Sequence, residues 1–80
     1  MATRVNKHTA IGAESSELLR LALRRSMCER DWGPKDIAEV SGLNYETVSH
    51  VTRGKYVRVS EDVAAKLCNA IGILPYEVGI

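Results

Sequence analysis

Residues 34–54 read PKDIAEVSGLNYETVSHVTRG, and this stretch decides the fold. Pro34 suits the first turn of a helix, where its missing N–H costs no hydrogen bond. The helix PKDIAEVS then runs to Gly42, a residue that adopts the left-handed conformation beyond a helix end without a Cβ penalty. Only Leu43 separates Gly42 from Asn44, a favourable N-cap for a second helix, YETVSHVTR, which Gly54 ends in the same way. Ala38 is small enough for the second helix to cross closely over the first. Ile37, Leu43, Val48 and Val51 supply the shared apolar contact. The expected unit is two short helices joined by a tight glycine turn.

The pattern continues on both sides. Upstream, Ser16 is the expected N-cap of an amphipathic helix over residues 16–30, SELLRLALRRSMCER, which stops near Asp31-Trp32-Gly33. Leu19, Leu23 and Met27 recur four apart, and Leu18 and Ala22 widen the stripe. Downstream, the polar loop KYVRV leads to Ser60, the N-cap of EDVAAKLCNAI. That helix carries Val63, Leu67, Ala70 and Ile71 on one face and stops at Gly72. Pro75 opens a final short turn or helix. Residues 1–15 are polar without a helical period and read as a flexible arm, which leaves 16–80 as one folded domain. The fold class is all-α, with four to five helices.

Composition agrees. The chain has 80 residues, 45% of them hydrophobic, but only 5% are aromatic and none is Phe. A core built from aliphatic side chains favours packed helices over a sheet. Eleven Lys and Arg against ten Asp and Glu leave a net charge of +1, so charge placement must carry any binding role. No apolar run approaches the roughly 18 residues that span a bilayer. The opening MATRVNKHTAIG lacks the apolar stretch of a secretory signal. Cys28 and Cys68 stand far apart with no second thiol near either, which points to reduced cysteines and a cytoplasmic setting. Cys68 reads as a small buried hydrophobe, and Trp32 and Tyr76 as core or interface residues. Structural zinc needs four ligands in short paired spacings, which Cys28, Cys68, His8 and His50 do not offer. Ser49 and His50 are sequence neighbours, a poor arrangement for a nucleophile and its base. No catalytic residue, cofactor or metal is expected.

The helix over 45–53 has a face worth testing. At about 100° per residue, Val48 and Val51 fix the buried direction. Glu46, His50 and Arg53 then point away from it, Ser49 lies within about 50° of outward, and Tyr45 and Thr47 sit on the flanks. From Ser49 to Arg58 the chain carries Arg53, Lys55 and Arg58 and no acid. A polar helix face beside a cationic strip is what contact with a phosphate backbone requires.

These residues resemble known DNA-binding units. DIAEVSGLNYETVSHVTRGKYVRVSEDV is similar to the DNA-binding segment of the lac-repressor family, in which D-[IV]-A-x-x-x-G-[VL]-S-x-x-T-V-S recurs. Asp36, Ile37, Ala38, Gly42, Leu43, Thr47, Val48 and Ser49 match that pattern. The layout over residues 16–78 resembles the phage-repressor and Cro-like (Xre-type) domains. Those place a long helix before the helix-turn-helix and a helix with an ALGI-like ending after it, as Asn69 to Ile73 do here. The resemblance implies a lambda-repressor-like helix-turn-helix domain whose recognition helix, 45–53, enters the major groove. It assigns base reading to Tyr45, Glu46 and His50, and phosphate contact to Asn44, Thr47, Ser49 and Arg53. Lys55 and Arg58 extend the phosphate set, and Arg4 and Lys7, with His8, form an arm that could reach a minor groove. Two departures stand out. Pro34 replaces the Gln with which many such domains grip the backbone, and Glu46 is acidic where Gln or Ser is common.

The expected function is therefore a sequence-specific regulator of duplex DNA, a repressor or Cro-like protein of bacterial or phage type associated with the nucleoid. One domain covers a half-site, so a homodimer is expected, held by the apolar C-terminal residues Ile73, Leu74, Tyr76, Val78 and Ile80. Eighty residues leave no room for a sugar-binding domain, so no small-molecule effector is expected. Two alternatives stay open: a module binding protein in the manner of an antitoxin or antirepressor, and an architectural or recombination accessory that bends DNA.

Overall fold

The computed structural model describes residues 10–54 and 59–80. The domain is all-α: α1 (Ala13–Arg30), α2 (Pro34–Ser41), α3 (Tyr45–Arg53), α4 (Glu61–Ile71) and a terminal 3₁₀ turn (Pro75–Val78). The described residues contain no strand. An isolated bridge joins Ala10 to Ser60, and the Ile11 N–H donates to the Val59 carbonyl at 2.7 Å.

That bridge moves the start of α1. The helix begins at Ala13 with Gly12 as its N-cap, so Ser16 lies inside it and caps nothing. Ile11 is buried in the core and tied to Val59, which fixes where the chain enters the helix. Residues 10–15, expected to belong to a flexible arm, are part of the folded domain. Arg4, Lys7 and His8 lie outside the described residues, as do Lys55 and Arg58 of the expected phosphate set.

The core is aliphatic, as the lack of Phe requires. It gathers Leu19 and Leu23 from α1, Ile37 and Ala38 from α2, Val48 and Val51 from α3, and Ala64, Leu67, Cys68 and Ile71 from α4. Ala22, Met27 and Trp32 pack against it half-buried. Leu18, expected to widen the apolar stripe of α1, is exposed, and Ser26 takes the third buried place instead. Truncating Leu19 or Leu23, both at 0% exposure, would cost about 2–5 kcal/mol through lost transfer energy and a cavity.

Two arginines of α1 fasten other helices by their carboxyl ends. Arg24 donates to the Thr52 carbonyl of α3 at 3.2 Å, and Arg30 to the Ile71 carbonyl of α4 at 3.1 Å. Each cation sits where the helix dipole is negative and a terminal carbonyl lacks an intrahelical partner. The Arg30 guanidinium also lies over the Trp32 ring, 4.9 Å from its centre. Among the described residues, no helix is long and apolar enough to cross a membrane.

Candidate nucleic-acid interface

The α2–α3 turn is held by local hydrogen bonds that its sequence supplies. Gly42, at φ 77°, donates its N–H to the Ala38 carbonyl at 3.0 Å. A residue with a Cβ would be strained in that left-handed conformation. The Leu43 N–H donates to Ser41 Oγ at 3.3 Å. Asn44 Oδ1 accepts the Thr47 N–H at 2.9 Å and so caps α3. At the other end of α2, Asp36 Oδ2 accepts the Gly33 N–H at 2.8 Å. These contacts fix α3 against α2, and Arg24 fixes it against α1.

Held this way, α3 buries Val48 and Val51 and presents Tyr45, Glu46 and Arg53 to solvent, with Thr47 and His50 half-buried beside them. The face expected to be outward is outward at Glu46 and Arg53. Ser49 departs from that expectation: it is buried, at 4% exposure, and so is Thr52. The reason is that α3 is gripped from two sides, by α1 and by α2, so its buried arc takes in Val48, Ser49, Val51 and Thr52. The Thr52 hydroxyl donates to the Ser49 carbonyl at 3.0 Å within this arc. Ser49 is therefore not presented for phosphate contact. Asn44 is exposed; its Oδ1 accepts in the cap, which leaves its amide N–H groups to donate to a phosphate oxygen.

Two further cations belong to this end of α3, and the sequence alone did not place them there. Arg20 and Arg24, one turn apart on α1, both reach the C-terminal end of α3. Arg24 bonds to Thr52, and a Cβ built at Gly54 would lie 3.2 Å from Arg20 Cδ. Their spacing of four residues was a usable signal, but nothing in the sequence aimed that face of α1 at α3.

The apolar C-terminal set divides in two. Val78, expected at a dimer contact, is buried in the chain's own core, and Ile73 and Ile80 are half-buried against it. The 3₁₀ turn folds back onto α1 and α4, and the Ser15 hydroxyl donates to the Gly79 carbonyl at 3.2 Å. Leu74 and Tyr76 stay exposed, Tyr76 at 71%. Beside them, Leu18, Leu21, Ala22, Ile71, Ile73 and Val78 line an open groove of about 470 Å³ between α1 and the turn. Among the described residues, no group of three or more His, Cys, Asp or Glu could hold a metal ion.

A family model described as the Cro/C1-type HTH DNA-binding domain matches residues 22–78, a span that takes in all of α2, α3 and α4. The curated proteins and the solved structures compared with the chain give no match.

Proposed function

The chain belongs to the Cro/C1-type HTH DNA-binding domain family, and from that premise we propose how it binds: α3 enters the major groove of duplex DNA and the chain regulates transcription as a repressor or Cro-like protein. The observation that carries the reading is the outer face of α3, polar throughout and directed opposite Val48 and Val51 by a turn built to hold it. Tyr45, Glu46 and His50 read base edges. Asn44, Thr47 and Arg53 contact phosphates, and Lys55 and Arg58 join them from the loop that follows. Glu46 can serve as a reader by accepting from an exocyclic amino group in the groove, that of cytosine above all, since a carboxylate is repelled by the phosphates themselves. The match between residues 36–49 and the lac-repressor pattern supports the same placement.

Two copies binding adjacent half-sites would sit roughly 34 Å apart. The exposed Leu74 and Tyr76, with Leu18 and Leu21 across the groove, are the surface on which a second copy would rest. A protein that acts in this way works where the chromosome is, in the cytoplasm of a bacterial or phage-infected cell. A protein partner is the second reading, and the near-neutral net charge of +1 with the exposed carboxylate of Glu46 on the outer face favours it.

Selection from a random duplex library at two salt concentrations tests the proposal. An enriched palindrome with steep salt dependence is expected. Salt-sensitive binding without a motif would replace the regulator with an architectural protein. No binding at low salt would move the function of this face to protein partners.

A further inference from the structure

Nine residues of α3 span about 14 Å, and a helix of that length set in the major groove leaves the flanking phosphates within reach of groups at its ends. At the amino end those groups are Asn44 and Thr47. At the carboxyl end stand Arg53 and, brought there by packing, Arg20 and Arg24 of α1.

The two α1 arginines differ in one respect. Arg20 is engaged by Glu17: its Nε donates to Oε1 at 3.0 Å, and Nη2 closes a second bond to Oε2. Those hydrogen bonds, more than the charges themselves, hold the Glu17 carboxyl below its ordinary range and raise the Arg20 guanidinium. Arg24 is exposed and gives one hydrogen bond to a neutral carbonyl, and no carboxylate among the described residues pairs with it. Both guanidinium groups keep unused N–H donors, so charge is what separates them: Glu17 neutralises Arg20, and no carboxylate among the described residues neutralises Arg24. Arg25, next in sequence and about 100° round the helix from Arg24, is paired with Glu29 at 3.7 Å.

We propose that α1 supplies one phosphate-binding cation, Arg24, at the carboxyl end of the recognition helix, and that Glu17 withholds a second, Arg20. The inference rests on the DNA-binding reading above and adds to it a contact from outside the helix-turn-helix. Arg24 bridges the end of α3 to the backbone wall, so it both seats the recognition helix and anchors it. Glu17 sets the strength of the interface from a position that touches no base.

The test follows the slope of log binding constant against log salt, measured with the full chain on the duplex enriched by selection. Arg24→Gln is expected to weaken binding to all sequences alike and to lower the slope by about one. Arg20→Gln is expected to leave the slope unchanged, and Glu17→Gln to raise it by about one by freeing Arg20. Should Arg24→Gln fail to fold, Arg24→Met replaces it, keeping the aliphatic stem without the charge, and should cost the same unit of slope. An unchanged slope in Arg24→Gln or Arg24→Met overturns the contact, and an unchanged slope in Glu17→Gln overturns the masking. A chain that binds no duplex at all overturns this inference together with the DNA-binding reading, which separates the two failures.

Discussion

Asp31 holds φ 56°, a conformation that the ends of α2, α3 and α4 give to glycine. Its carboxylate also sits at the carboxyl end of α1, where the helix dipole disfavours negative charge. Asp31→Gly is expected to raise stability by about 0.5–1 kcal/mol, visible as a higher urea midpoint with an unchanged slope. Gly42, Gly54 and Gly72 could be read as helix ends because left-handed freedom is intrinsic to glycine. Asp31 could not, because an aspartate in sequence is equally at home in a turn, an N-cap or a solvated surface. The burial of Ser49 was not legible for a different reason. A helical wheel with one buried direction cannot register a second neighbour, and α1 is that neighbour for α3. Glu46 and Arg53, further from either contact, were legible from the wheel alone.

At the scale of elements, three candidate caps separate local from tertiary information. Asn44 and Ser60 each accept a backbone N–H, from Thr47 at 2.9 Å and from Val63 at 3.2 Å. Replacing either with Ala is expected to cost about 1 kcal/mol in denaturant unfolding. Ser16→Ala should cost nothing and gain a few tenths of a kcal/mol. Ser16 is the fourth residue of α1, past the cap, where Ala has the higher propensity, and its hydroxyl has no hydrogen-bond partner among the described residues. Asn44 and Ser60 were legible because each stands between a loop signal and an apolar period. The true start of α1 was not, because Gly12 becomes an N-cap only once Ile11 is anchored to Val59. The helix-turn-helix itself was legible almost to the residue, since its turn is closed by contacts no more than four residues apart.

For the molecule as a whole, the two cysteines report on different depths. Cys28 is exposed and Cys68 fully buried. Under native conditions a thiol reagent is expected to label Cys28 at once and Cys68 only at the rate of global opening. Burial, with the charge of Glu77 adding to it, pushes the Cys68 thiol above its ordinary value. The unfolded chain gives up that proton at roughly pH 8.5, so this contribution to stability is complete below that pH and is lost as pH rises through the folded value. Cys68→Ala should therefore flatten the alkaline side of the stability profile relative to the unmodified chain. Val78 shows why the global arrangement was the least legible part. Its burial depends on the chain returning to α1, and the Ser15–Gly79 bond that accompanies the return joins residues 64 apart. A ribosome delivers the chain in order, from α1 onward. The flank of α1 beneath Val78 is thus the last part of the described core to be covered in order of synthesis, after the residues of α2, α3 and α4 that share that core have all been made.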